Sequence, residues 1–89
     1  MFWKEIKMTI QEFEKIVKKE NNQIIVAQDN GGDVYVIDIK EMKILAWICG
    51  KEANYFTIYH GLSDRKSWKA VNSFAETLPN ERGLLQQAN

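Results

Sequence analysis

The chain has 89 residues, 45% hydrophobic and 11% aromatic, with twelve basic residues balanced by twelve acidic ones. A chain this short makes one domain that buries about two-thirds of its unfolded surface, leaving little room for a deep catalytic cleft, and its apolar content is too high for a disordered tail. The charge balance excludes a long-range field steering the chain onto nucleic acid or anionic membrane, and no apolar run approaches the ~20 residues that span a bilayer.

The opening MFWKEIK has neither the apolar stretch nor the cleavage site of a signal peptide. The single cysteine, Cys49, has no internal disulfide partner. Together they point to a cytoplasmic setting. Residues 1–8 either pack back through Phe2, Trp3 and Ile6 or stay loose. Thr9 then reads as an N-cap with Glu12 three residues on, a capping box, while Met8 and Phe13 stand where a hydrophobic staple would place them. Ile10, Phe13, Ile16 and Val17 fall on one helical arc, so a surface helix with one buried stripe runs to Asn21-Asn22.

Four strands are expected over 23–29, 33–40, 43–49 and 54–60, and the short connections between them force an antiparallel meander. Asn30-Gly31-Gly32-Asp33 tolerates positive φ and marks the first hairpin. With turns closing on Gly31-Gly32 and Glu41-Met42, Ile24 and Val26 share a core face with Ile37 and Ile39, and these with Ile44, Ala46 and Ile48. The opposite face then carries Ile25, Ala27, Val34, Val36, Leu45, Trp47 and Cys49, with Asp38 as the main polar exception. The facing of the fourth strand depends on the length of the loop at Gly50-Lys51-Glu52, since one residue more or less exchanges its two faces.

A last helix is expected from about Asp64 to Thr77, capped by Ser63 or Asp64 and ended ahead of Pro79, with Trp68, Val71, Phe74, Ala75 and Leu78 on one arc. The tail, 80–89, forms a short turn or frays, with only Leu84 and Leu85 to anchor it. The fold class is α+β, in one domain: an N-terminal helix, a four-stranded antiparallel meander, and a C-terminal helix packed on the sheet.

No constellation of residues carries chemistry. Cys49 and His60, the one nucleophile and base of their kind, lie roughly 20 Å apart along a returning strand at ~3.3 Å per residue. Ser63 and Asp64 beside His60 are helix caps rather than members of a triad, and one histidine and one cysteine on different sheet ends build no metal site. The sequence therefore implies no enzyme and no cofactor. Arg65, Lys66 and Lys69 stand in the first turns of the last helix, where the helix dipole favours anions, so they form a candidate patch for an anion or an acidic partner. Trp47, Tyr55, Phe56 and Tyr59 could stack bases, but the strands supply acidic and basic residues in balance rather than a basic rim.

What remains is an apolar sheet face without an assigned cover. If both helices lie on one side, Val34, Val36, Leu45 and Trp47 form a candidate partner-binding patch. The expected function is a non-enzymatic interaction module, an adaptor or inhibitor, that binds another protein or a second copy of itself and no membrane. Such proteins in bacteriophages and other mobile elements are often of this size, which is an argument from size alone. The alternative is a nucleic-acid-associated regulator using Arg65, Lys66 and Lys69 with Lys15, Lys18 and Lys19.

Overall fold

The computed structural model describes residues 7–84. Along them run α1 (Ile10–Glu20), β1 (Ile24–Gln28), β2 (Val34–Asp38), β3 (Lys43–Ile48), β4 (Phe56–Ile58), α2 (Arg65–Glu76) and one 3₁₀ turn, Pro79–Glu81. The strands form one antiparallel sheet in chain order, β1-β2-β3-β4, and the helix-meander-helix order is the one the sequence predicts. Phe2, Trp3, Ile6 and Leu85 lie outside the described residues.

The helix ends follow local chemistry. Thr9, extended at φ −80° and ψ 162°, accepts the Glu12 N–H through its hydroxyl, and the Glu12 carboxylate accepts the Thr9 N–H in return. Asp64 caps α2 by accepting the Ser67 N–H at 2.8 Å. The helices run antiparallel: the Met8 N–H donates to Thr77 Oγ1 at one end, and Lys66 pairs with Glu20 at the other. Between them Phe13 stacks on Phe74, with ring centroids 4.6 Å apart and planes 9° from parallel.

The buried stripe of α2 is Ser67, Ala70, Val71, Phe74 and Ala75. The expected stripe had Trp68 and Leu78 in place of Ser67 and Ala70, yet both are nearly half exposed. Close approach of two helices and a sheet selects small side chains for the seam. The Trp68 indole instead lies at its margin, where Nε1 donates to the Leu62 carbonyl.

Both helices cover the same face of the sheet. Phe13 and Val17 of α1 join Val71 and Phe74 of α2 in one core with Val34, Val36, Ala46 and Ile48. This corrects the expected facing of β2, which put Ile37 and Ile39 in the core and Val34 and Val36 outside. The first hairpin closes on three residues, Asn30-Gly31-Gly32: the Asp29 N–H bonds the Asp33 carbonyl, the Gly32 N–H bonds the Asp29 carbonyl, and Gly32 takes φ +89°. One loop residue more than the two-residue turn moves the pairing by one, so Ile24 opposes Asp38 and Val26 opposes Val36.

A second slip lies in β3. Ile37 pairs with Ile44 but Val36 pairs with Ala46, which leaves Leu45 as an extra, bulged residue. Ile44 therefore stays outside with Ile37, while Leu45, Ala46 and Ile48 are all buried. On β4, Phe56 opposes Ile48 and Ile58 opposes Ala46, so both face the helices and pack against the core.

The segment after α2 is tied down by a residue the sequence reading passed over. Arg82 is wholly buried, and its guanidinium donates to three carbonyls: Nε to Thr77 at 2.9 Å, Nη1 to Cys49 at 2.6 Å and Nη2 to Ala75 at 3.0 Å. It also lies 5.1 Å from the centre of the Phe74 ring. Two of those carbonyls belong to the C-terminal end of α2, where free acceptors and the helix dipole favour a cation. Leu84 packs against the core, so the segment after α2 is held by Arg82 as well as by an apolar anchor.

Candidate functional site

With both helices on one side, no other described element covers the opposite face of the sheet. Across it, Ile25, Ile37 and Ile44 form one row of cross-strand neighbours, and Ala27, Tyr35, Trp47 and Thr57 form the next. Exposed Tyr59, bonded through its N–H to the Leu45 carbonyl, extends the first row, exposed Ile39 lies beyond that row opposite Gln23, and Tyr55 extends the second by meeting the Trp47 ring edge-on at 5.1 Å and 89°. Ile25, Ile39, Ile44, Tyr55 and Tyr59 are each between 36% and 54% exposed. Four strands ~4.8 Å apart with about five residues each present roughly 300 Å² in projection, a size at which the largest apolar patch of a protein is often functional.

The polar tips of the aromatic row are satisfied within the chain. Tyr35 donates its hydroxyl to Asp29 Oδ2 at 2.9 Å, and Trp47 Nε1 donates to Asp33 Oδ2 at 2.9 Å. Both aspartates are held in turn: Asp29 Oδ1 accepts the N–H groups of Gly31 and Asp33, and Asp33 Oδ1 accepts that of Gly50 at 2.7 Å. The Tyr35 bond is the main reason the Asp29 carboxyl titrates below its ordinary range, against an opposing effect of burial and with further help from the loop N–H groups. The same bond raises the Tyr35 hydroxyl above its ordinary value. Fixed by these bonds, the rings offer flat apolar surface at little further entropic cost.

Of the residues expected to bind a partner, only Trp47 lies on the open face. Val34, Val36 and Leu45 are core residues, at 0%, 0% and 4% exposure, and cannot form a contact surface. The patch that replaces them contains Ile37, Ile39 and Ile44, which the sequence reading placed inside. The available signal was glycine in the third loop position of Asn30-Gly31-Gly32, which suits a three-residue turn; nothing in the letters around Leu45 marks the bulge.

Arg65, Lys66 and Lys69 are exposed on the first turns of α2. The anion at that helix end is Asp64 of the chain itself, and Lys66 pairs with Glu20 at 3.7 Å. On α1, Lys18 pairs with Glu14 at 3.6 Å, so carboxylates are interspersed among the basic residues of both helices. Cys49 is buried at the β3–β4 connection, its N–H bonded to the Tyr55 carbonyl, while exposed His60 lies beyond the other end of β4. Among the described residues no three His, Cys, Asp or Glu side chains are grouped to hold a metal ion, and no helix is long and apolar enough to cross a membrane.

No protein family, curated protein or solved structure matches this chain.

Proposed function

We propose that this chain is a non-enzymatic protein-interaction module whose open sheet face seats against a second copy of itself. The observation carrying the reading is the row Ile25, Ile37 and Ile44 beside Tyr35, Trp47 and Tyr55, which no other described element covers, all on one side of a sheet whose helices lie on the other. An apolar face of this kind gains by leaving water, and an identical face supplies a matching partner.

Charge is compatible with that occupant. The end of the face near the first hairpin carries Asp29, Asp33, Lys51 and Glu52, a net negative group, whereas at the β2–β3 turn Lys40 and Lys43 are balanced by Glu41 and by Asp38, whose carboxylate holds the Lys40 and Glu41 N–H groups. A two-fold axis running across the strands lays each acidic end over the partner's charge-balanced end rather than over another acidic one. The chain's formal charge of zero adds no net repulsion between copies.

The test is solution mass by light scattering at low and high salt, for the wild type, Trp47→Glu and Ile44→Glu. A dimer that persists in high salt and splits in both variants is the expected result. A wild-type chain that stays monomeric up to millimolar concentration overturns the reading.

A further inference from the structure

The loop of the first hairpin carries covalent chemistry that needs no partner. We infer that Asn30-Gly31 is a self-modification site, where the asparagine loses ammonia through a cyclic imide to become aspartate or isoaspartate, and that the hydrogen bond from Gly31 to Asp29 slows the reaction in the folded chain. Water is the co-reactant, and the inference is independent of what covers the sheet.

The Gly31 backbone nitrogen attacks the Asn30 side-chain carbonyl carbon. A C–N bond closes the imide ring, the bond to Nδ2 breaks, and the Gly31 amide proton leaves with the departing ammonia. Water then opens the imide at either of its carbonyls. One opening gives aspartate; the other gives isoaspartate, in which the main chain runs through the former side chain.

Three observations place the reaction at Asn30. The attacking nitrogen is most accessible where the next residue has no side chain, and Asn30 is the asparagine followed by glycine, whereas Asn21, Asn22, Asn54, Asn72 and Asn80 precede Asn22, Gln23, Tyr55, Ser73 and Glu81. Asn30 and Gly31 are both exposed, and a Cβ at Gly31 would meet nothing closer than Asp29 Oδ1 at 3.5 Å, so the approach is open. The bonds that close the loop run from the Asp29 N–H to the Asp33 carbonyl and from the Gly32 N–H to the Asp29 carbonyl, and neither uses an atom of Asn30 or Gly31. Asn72, by contrast, lies inside α2 with its side-chain amide donating to the Trp68 carbonyl.

The same loop supplies the restraint. The attacking nitrogen has to give up its proton, and the Gly31 N–H is held by Asp29 Oδ1 at 2.9 Å. A carboxylate there opposes negative charge building on that nitrogen and fixes its position. Asp29 is itself held by the Tyr35 hydroxyl and the Asp33 N–H. Modification adds a negative charge beside Asp29 and Asp33, and isoaspartate also lengthens the backbone of a loop whose three residues set the β1–β2 pairing.

The experiment is peptide-resolved mass spectrometry of the whole chain after incubation at physiological temperature and mildly alkaline pH, folded and in concentrated urea, with electron-transfer fragmentation to separate isoaspartate from aspartate. The expected result is conversion of amide to carboxylate at Asn30 ahead of Asn21, Asn22, Asn54, Asn72 and Asn80, with isoaspartate in the product, and about fivefold slower folded than in urea. Gly31→Ala, which the open space admits, should lose the reaction over the same period. Asp29→Ala should react faster than the wild type when folded and like it in urea, with Asn72 unmodified as the sign that α2 stays formed. Should Asn72 react too, the variant has unfolded and the ratio of folded to urea rates in the wild type decides. No conversion at Asn30 in the folded chain, equal wild-type rates folded and in urea, or a folded Asp29→Ala that reacts no faster would overturn the proposal.

Discussion

Arg82 and Cys49, thirty-three residues apart, are joined by a 2.6 Å hydrogen bond from a buried guanidinium to a strand-end carbonyl. With the bonds to Ala75 and Thr77, one side chain connects the β3–β4 corner, the end of α2 and the 3₁₀ turn Pro79–Glu81. Among the described residues no carboxylate forms an ion pair with it. Burial lowers its pKa, but a guanidinium remains charged at any ordinary pH, and the α2 carbonyl dipoles supply the compensation.

Arg82→Lys keeps the charge and loses the planar fork that reaches three acceptors. It should destabilise the fold by about 2 kcal/mol, and Arg82→Ala by about 3 kcal/mol or more, since buried carbonyls lose a charged donor. For a chain of this length those values lower Tm by at least about 10 °C. Calorimetry decides the matter: a shift of only a degree or two in either variant would mean that the clasp contributes little.

Gly50 lies against Gly32, backbone on backbone. A Cβ at Gly50 would sit 2.2 Å from the Gly32 carbonyl carbon and 2.6 Å from the Asp33 nitrogen, and neither can yield as a flexible side chain would. Gly50→Ala is therefore expected to cost more than about 2 kcal/mol. Gly31→Ala, one residue before Gly32, meets nothing closer than Asp29 Oδ1 at 3.5 Å and should be neutral or stabilise by about 0.5 kcal/mol through the unfolded chain. Urea unfolding of the pair measures both, and similar midpoints would contradict the close approach.

The elements were legible in the sequence because their signals are local. Thr9 and Glu12 satisfy each other within one turn, Asp64 caps its own helix, and the short connections permit only a meander. The faces were not legible, because β2 is apolar on both sides: Val34 and Val36 alternate with Tyr35 and Ile37, so hydrophobicity gives no register. The register follows from a third loop residue and a bulge at Leu45, each worth one residue and each reversing the faces beyond it. Arg82 escaped notice because its partners are backbone carbonyls, which no side-chain pattern reveals.

The two faces can be distinguished by one substitution type. Val36→Thr replaces a methyl in the core by a hydroxyl with no partner and should cost about 2 kcal/mol. Ile37→Thr, the next residue, lies on the open face and should cost below about 1 kcal/mol in the dilute chain. Denaturant midpoints at low micromolar concentration read the difference, and a reversed order would return Ile37 to the core.

The Tyr35–Asp29 bond makes stability depend on pH at both extremes. The folded Asp29 carboxyl titrates below its ordinary 3.8, so its contribution is present above that value and is lost as pH falls through the folded pKa. The Tyr35 hydroxyl titrates above its ordinary 10.0, so its contribution is complete below that value and is lost as pH rises through the folded pKa. Tyr35→Phe removes the largest single influence on Asp29, and the carboxyl should move up toward 3.8, held down only by the N–H groups of the loop. Carbon-detected NMR titration of the Asp29 carboxyl in both chains follows the change directly. An Asp29 pKa that does not move in the variant would show that the hydroxyl is not its main partner, and that the aromatic row of the open face is not fixed by this bond.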